Sequence, residues 1–215
     1  MLDAFGHVSV RDVERSDRFV ISRSRAPDLV EKSDLQTLDP AGARVGGSDG
    51  QSYSEVAIHA AVYRHRPEVN AVVHSHSPSV IPFGATGAPL RPIFHAAAAM
   101  GSVVRTFDIA ERFGDTDMLV RTKEQGDALA AVLGDATVAL MRGHGCVVAH
   151  AELRSAVFVA VYLERNATLV LQARQLGEPR YLSAAETERA GTMILSPMTR
   201  DRAWELWTRR LNRRS

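Results

Sequence analysis

Residues 54–77, SEVAIHAAVYRHRPEVNAVVHSHS, decide the fold of this 215-residue chain. Up to Pro67 the segment spaces apolar residues among helix-compatible ones, and Ser52 with Glu55 matches the capping box S-x-x-E at a helix start. After the proline, Ala71–Ser77 is rich in β-branched residues and bounded by turn residues, which predicts a strand that runs into a loop. A helix followed by a strand favours an α/β domain.

Three stretches with alternating apolar residues precede this segment, at His7–Arg11, Arg18–Ser22 and Leu35–Asp39. Their period of two predicts strands. The glycine-rich run Pro40–Gly50 then predicts turn and loop.

Strand and helix patterns also alternate after the segment. Glu124–Gly134 predicts a helix closed by its last glycine, Thr137–Met141 a strand, and Ala151–Leu176 a long helix followed by two shorter ones. Residues 81–105 are mixed and include an apolar run that fits either a helix or a buried strand. Because no repeat or linker interrupts the pattern, residues 1–215 are predicted to form one α/β domain.

The composition excludes several classes of function. A net charge of +1 gives no electrostatic footprint for nucleic acid, and no apolar run is long enough to cross a membrane. The single cysteine, Cys146, excludes an intrachain disulfide, and with a start that lacks a signal-peptide pattern it predicts a cytoplasmic protein. The two lysines, Lys32 and Lys123, lie in polar contexts, which argues against Schiff-base chemistry.

The strongest local signal for chemistry is His74-Ser75-His76. Residues two apart on a strand project to the same face, so the two imidazoles can converge on one point, as a divalent transition metal requires. Histidine pairs of this kind also occur as hydrogen-bonded core or surface residues, so the pair by itself is a weak signal.

Two further features strengthen the metal hypothesis. His144 lies between two glycines at the end of another apolar strand, and Glu55 lies in the helix just upstream of the His74 strand. Three histidines with a nearby carboxylate match an open catalytic site. The alternatives are that Glu55 only completes the capping box and that His144 is a hydrogen-bonded core histidine.

The other histidines carry weaker signals. His7 and His95 each lie at the edge of a segment that could face the cleft, whereas His59 and His65 lie on the Glu55 helix and are given less weight. His150 is predicted to start a helix, as a cap or surface residue.

Taken in order, GHVSVRD, SEVAIHAAVYRHRPEVNAVVHSHS and LMRGHGCVVA followed by a helix resemble the class II aldolase/adducin family from about Phe5 to Gln175. The resemblance implies an α/β/α fold with a central, mainly antiparallel sheet and a homotetramer with active sites between subunits. It implies a divalent metal held by His74, His76 and His144, which suits Zn²⁺ or Mn²⁺, with Fe²⁺ or Co²⁺ also possible. The N-terminal helix usual in the family is missing, which leads us to expect a true start upstream.

The chain departs from the family's sugar-phosphate members where those enzymes hold phosphate. An Asn, a Thr/Ser-Gly pair and a Ser-Ser pair are replaced here by His7, Ser24-Arg25 and Tyr53-Ser54. A histidine and an arginine fill space that small donors and glycine leave for a phosphate. These departures argue against phosphosugar aldolase or epimerase activity.

The stretches SRSRAP, GHVSVRD and LMRGHG are more similar to the family's decarboxylase branch, which acts on hydroxylated aromatic or pyridine carboxylates. Arg25 offers a planar fork for bidentate binding of a substrate carboxylate. With it, Ser24, His7 and Ser54 are the predicted substrate-binding residues.

The predicted activity is that of a metal-dependent carbon–carbon lyase, because breaking a C–C bond leaves electrons that need a sink and a metal that binds the ring oxygen supplies one. A positioned acid must then protonate the ring carbon. Glu55, the family's metal-adjacent acid/base carboxylate, and His95 are both candidates, and the sequence does not choose between them.

Three other functions stay open at this point. One is a class II aldolase that acts on a non-phosphorylated hydroxy-carbonyl substrate, and a remote one is oxygen chemistry. The third is a non-catalytic binding protein like adducin, against which the complete set of His74, His76, His144 and Glu55 argues.

Overall fold

The computed structural model describes residues 4–211, and its centre is one eight-stranded sheet with the strand order β4-β3-β2-β1-β5-β8-β7-β6. Neighbouring strands are antiparallel except for β6 and β7, which are parallel. The strands are β1 His7–Arg11, β2 Phe19–Ser22, β3 Leu35–Leu38, β4 Arg44–Gly47, β5 Ala71–Ser75, β6 Val104–Phe107, β7 Val138–Met141 and β8 Gly145–His150. The predicted fold class is confirmed.

Helices cover both faces of the sheet. They are α1 Val56–His65, α2 Ile81–Thr86, α3 Ala110–Phe113, α4 Lys123–Leu133, α5 Leu153–Leu176, α6 Ala184–Ile194 and α7 Pro197–Leu211, with short 3-10 helices at Pro27–Leu29, Lys32–Asp34 and His95–Met100. No described helix is both long and apolar enough to span a membrane.

Alternation along the strands produces two hydrophobic cores, one on each face. Val72 of β5 packs in the core that α1 and α4 cover, whereas its neighbour Val73 packs in the core that α5 covers. Ile58 of α1 and Phe158 of α5 are among the buried residues that the two helical layers contribute. The sheet is therefore the middle of three layers, and successive side chains along β5 pack alternately against the two helical layers.

Two predictions about local structure are wrong. The Pro40–Gly50 run contains β4, an exposed edge strand, because pairing with β3 extends a segment whose composition indicates only turns. His150 ends β8 and does not start a helix, since α5 begins at Leu153. The undecided run within residues 81–105 forms the His95–Met100 helix and then β6.

Candidate metal centre

Four polar side chains converge at the end of β5, where Glu55, His74, His76 and His144 place one ligand atom each within 4.8 Å of one another. The Nε2 atom of His76 lies 3.2 Å from Nε2 of His74 and 3.1 Å from Nε2 of His144. An oxygen of Glu55 lies 3.5 Å from Nε2 of His144 and 3.7 Å from Nε2 of His74. The residues predicted to hold and flank a metal are thus brought to one point.

The sheet positions this cluster because β5 and β8 are adjacent antiparallel strands. His74 is the fourth residue of β5 and is wholly buried, and His76 follows directly after the strand end. His144 precedes β8 in the tight connection from β7, and Glu55 directly precedes the first residue of α1. One strand end, one hairpin and one helix start therefore supply the four groups.

Backbone carbonyls fix the tautomers of two of the imidazoles. Nδ1 of His74 lies 3.1 Å from the carbonyl oxygen of Cys146, and Nδ1 of His144 lies 3.0 Å from that of Met118. A carbonyl only accepts, so each Nδ1–H donates, and in the neutral ring the Nε2 atom presents its lone pair to the centre of the cluster.

The loop before α4, which contacts His144, contains a strained residue. Met118 has a φ of 69°, the one non-glycine residue with positive φ in the described part of the chain, and its carbonyl is the one that His144 contacts. Gly143, with a φ of 64°, lies against it. The backbone N–H of Met118 donates to the hydroxyl of Thr116, which braces the turn. Strained backbone of this kind persists where the surroundings over-determine it, often at functional sites.

Glu55 does not form the predicted capping box. Its carboxylate accepts a hydrogen bond from the backbone N–H of Val120 at 3.0 Å, while the Ser52 hydroxyl donates to Gln36. The prediction is wrong because these tertiary partners replace the local ones. Burial alone would raise the pKa of Glu55, but the polar groups around it, the Val120 N–H among them, outweigh burial and lower the pKa, so the group is a carboxylate.

The chemistry of these donors fits a bound cation. Burial first, and then neighbouring imidazoles, lower the pKa of His74 well below its usual value, so the ring is uncharged. Nε2 of His76 has two short contacts, with Nε2 of His74 and with Nε2 of His144. When both of those atoms present lone pairs, a proton on Nε2 of His76 could satisfy only one of the two contacts. A divalent cation satisfies all of them, and ligand distances of about 2.0–2.1 Å place imidazole nitrogens roughly 3.3 Å apart in tetrahedral geometry.

Arg25 lies in a cluster of charges around Asp34. Its Nη1 donates to Asp34 at 2.7 Å, and Nε of Arg23 donates to the other oxygen of Asp34 at 2.6 Å. The N–H of Glu31, then Arg25 and Arg23, lower the pKa of Asp34 to about 2. Two guanidinium groups share one carboxylate, which leaves a net positive charge.

Tyr53 connects this cluster to the metal centre. Its hydroxyl donates to the carbonyl of Arg25 at 2.7 Å, and its ring lies 4.5 Å from the ring of His7, whose ring is 5.0 Å from that of His74. Ser24 and Ser54 are exposed nearby in sequence.

His95 does not join the four-residue cluster. It is exposed at the first position of the His95–Met100 helix, and its ring faces Phe94 at 6.1 Å. Within one chain, the structure brings Glu55 to the cluster and leaves His95 outside it.

Sequence reasoning gave little weight to His59, a buried residue behind the centre that contacts His7. His7 is only 5% exposed, and its Nδ1 lies 2.6 Å from Nε2 of His59, a residue that is completely buried. Burial lowers the pKa of His59 to about 3. The available signal was that His59 and Tyr63 lie four residues apart on one face of α1, opposite the β1 residues His7 and Ser9.

A cavity of about 440 Å³ lies beside His76. Its wall is mainly apolar, from Val8, Val73 and Val157, with Glu164 and Arg165 as charged members. A volume of this size is in the range of small-molecule sites.

The fold and this cluster define a family. The chain belongs to the class II aldolase and adducin family. The family model, described as Class II Aldolase and Adducin N-terminal domain, matches residues 2–171. The resemblance stated from the sequence is confirmed.

Two of the similar proteins are named as decarboxylases. The chain is 35% identical to "Decarboxylase tropJ" of Talaromyces stipitatus, over 97% of this chain and 87% of that protein. It is 31% identical to a 3,4-dihydroxyphthalate decarboxylase of Arthrobacter keyseri, over 80% of this chain and 71% of that one. The crystal structure of an aldolase II superfamily protein from Pseudomonas syringae has a TM-score of 0.81 at 23% identity, covers 99% of this chain and 85% of that one, and shows the shared fold.

Proposed function

We propose that this chain is a metal-dependent carbon–carbon lyase that decarboxylates a hydroxylated aromatic or heteroaromatic carboxylic acid. The observation that carries the proposal is the convergence of three imidazole nitrogens and one carboxylate. Similarity to two proteins named as decarboxylases supports the reaction type.

His74, His76 and His144 would hold one divalent ion, and Zn²⁺ or Mn²⁺ suits this ligand set. When bound, the ion would act as a Lewis acid toward the hydroxyl and carboxylate oxygens of the substrate. Hydrogen bonds from Nδ1 of His74 and His144 to backbone carbonyls keep their Nε2 atoms aimed at the centre.

Glu55, rather than His95, handles the proton. As a buried carboxylate 3.5 Å from His144 it can accept the proton of the substrate hydroxyl. When the C–C bond breaks and CO₂ leaves, the electron pair stays on the ring carbon, and Glu55 returns the proton to that carbon. His95 is exposed outside the cluster in the single chain, so it contributes to the reaction only if another subunit presents it.

Arg25 binds a substrate carboxylate. Its Nη1 is bound to Asp34, which holds the guanidinium in place, and its other guanidinium nitrogens have no partner among residues 4–211. Ser24, His7 and Ser54 are proposed to complete the substrate-binding surface.

We further propose that residues 1–215 form a single domain, that the protein is cytoplasmic, and that it is a homotetramer with active sites between subunits. Exposure of His95 and the open cavity beside His76 support the last point, because a neighbouring subunit could complete both. Light scattering of the purified protein measures the oligomeric state, and a monomeric mass would contradict it.

The test is CO₂ release from a panel of hydroxylated benzene and pyridine carboxylates. The protein is loaded separately with Mn²⁺ and Zn²⁺, and a chelated sample serves as the control. Glu55→Gln should lose at least about 100-fold in rate, whereas Glu124→Gln, at an exposed position on α4, should match the wild type. Absence of CO₂ from every acid, with aldehyde release from hydroxy-carbonyl compounds, would overturn the proposal in favour of an aldolase.

A further inference from the structure

A chain of four buried polar side chains runs between α1 and β1 and ends beside the metal centre. The hydroxyl of Tyr63 lies 2.8 Å from Oγ of Ser9, and Oγ of Ser9 lies 2.6 Å from Nδ1 of His59. Nε2 of His59 in turn lies 2.6 Å from Nδ1 of His7. All four residues are at most 5% exposed, so water does not compete for these hydrogen bonds.

The number of protons gives the chain a direction. Each uncharged member carries one exchangeable proton, and three hydrogen bonds use three of the four. If Tyr63 donates to Ser9, Ser9 to His59 and His59 to His7, every bond is made and the fourth proton lies on Nε2 of His7.

The reverse direction leaves a buried proton unsatisfied. If Nδ1–H of His7 donated to Nε2 of His59, the proton of His59 would lie on Nδ1 and would be donated to Ser9. Ser9 would then donate to Tyr63, whether His7 were neutral or charged. The Tyr63 hydroxyl would then need another acceptor, and its other hydrogen-bond partner, the backbone N–H of Val72, can only donate. A buried donor without an acceptor is costly, so the first direction is favoured.

The His7 end is the open end of the chain. Every fully buried side-chain nitrogen and oxygen in residues 4–211 has a hydrogen-bond partner. Nε2 of His7 has none, so it supplies part of the 5% of His7 that reaches the surface. The ring lies 5.0 Å from the ring of His74 and 4.5 Å from that of Tyr53, between the metal centre and the Arg25 segment.

We propose that His7 is a neutral Nε2–H donor to an oxygen of the substrate, and that Ser9, His59 and Tyr63 are positioning residues that hold it in this tautomer. The inference rests on the proposed function and adds a specificity rule. A carboxylate, carbonyl or hydroxyl oxygen is accepted next to His74, and a group that can only donate is rejected.

The first experiment reads the tautomer directly. The 215-residue protein, labelled with ¹⁵N-histidine and loaded with Zn²⁺, is studied by long-range ¹H–¹⁵N NMR, with His7→Gln to assign the signals. We expect the proton of His7 on Nε2. A proton on Nδ1 would overturn the proposal, and this readout does not depend on CO₂ release.

Variants then test the positioning role. In Ser9→Ala, His59 loses its donor and the His7 signals should become an average of two tautomers. Ser9→Thr, which keeps the hydroxyl, should restore the single tautomer, and Ser16→Ala at an exposed position is the matched control. An unchanged His7 tautomer in a folded Ser9→Ala protein would overturn the role of Ser9.

Binding of 2,3-dihydroxybenzoate tests the substrate-facing role without requiring turnover. The probe should shift the Nε2–H signal of His7 in the wild type. His7→Phe should weaken probe binding by about 10- to 100-fold, because a hydrogen bond to a charged group is lost, and His7→Gln, which keeps an N–H donor, should recover part of it. Probe binding equal to the wild type in His7→Phe would overturn the proposal; failure of CO₂ release alone would count only against the decarboxylase function.

Discussion

Gly145→Ala should weaken the metal centre without changing any of its ligands. Gly145 begins β8 against β5, and a Cβ there would lie 2.3 Å from the carbonyl oxygen of Ser75 and 3.2 Å from Cδ2 of His76. A backbone oxygen cannot rotate away, so the strands must separate by roughly 1 Å to reach van der Waals contact. Such overpacking typically costs about 1–3 kcal/mol. For a chain of this length that cost lowers Tm by roughly 2–12 °C.

The shift also moves His76 relative to His74 and His144, so we expect Zn²⁺ affinity to fall by at least about tenfold, as when groups that orient ligands are changed. Affinity is measured by competition with a chromophoric chelator, and stability by thermal unfolding of the metal-free protein. Gly47→Ala is the control, because its Cβ would lie 2.3 Å from the carbonyl oxygen of Leu35 on the far β3–β4 edge. It should lose stability and keep its Zn²⁺ affinity. Wild-type affinity and Tm in Gly145→Ala would refute the reasoning.

Four further outcomes are expected. His76→Ala should lose bound metal, measured by elemental analysis, together with activity, and full activity would contradict the metal site. Arg25→Ala should raise KM for a carboxylate-bearing substrate by roughly 10- to 100-fold with a smaller effect on kcat, and an unchanged KM would remove the carboxylate-binding role. Burial raises the pKa of Cys146 to about 11, so about 0.1% is thiolate at pH 8 and a thiol reagent should label it only on unfolding; rapid labelling of the native protein would contradict this. The pKa of His59 is lowered to about 3 when folded, so the unfolded chain takes up the proton first as the pH falls through 6.5, and stability should drop by on the order of 2 kcal/mol between pH 7 and 5 from this group. Urea unfolding at both pH values checks this, and His59→Gln should reduce the drop.

Several elements and the histidine cluster were accessible from local sequence. The helix at Lys123–Leu133, closed by Gly134, and the long α5 follow from spacing and a C-terminal glycine. His74 and His76 could be paired because strand geometry relates residues two apart without reference to the rest of the fold. His144 and Glu55 could be added as candidates from their places at the end of a strand and in the helix upstream of His74, and family resemblance then implied their roles.

Other predictions failed where tertiary contacts outcompete local ones. The capping box at Ser52 and Glu55 is consistent with local sequence, yet Glu55 instead accepts from Val120, 65 residues further along the chain. The Pro40–Gly50 run forms an edge strand because β3 offers it unpaired backbone groups. His59 was given little weight because its spacing from Tyr63 predicts a shared helix face but does not identify His7 as the partner across the fold.

The sequence by itself therefore determined the three-layer α/β class, the family and the identity of the four residues at the candidate centre, since these depend on short-range periodicity and on motifs. Only the tertiary structure decided how those residues are held. The carbonyl of the strained Met118 orients His144, and the Tyr63–Ser9–His59 chain orients His7. Hydrogen bonds between groups 26 to 54 residues apart depend on the packing of α1 against the sheet and on the loop before α4, and no local pattern records them.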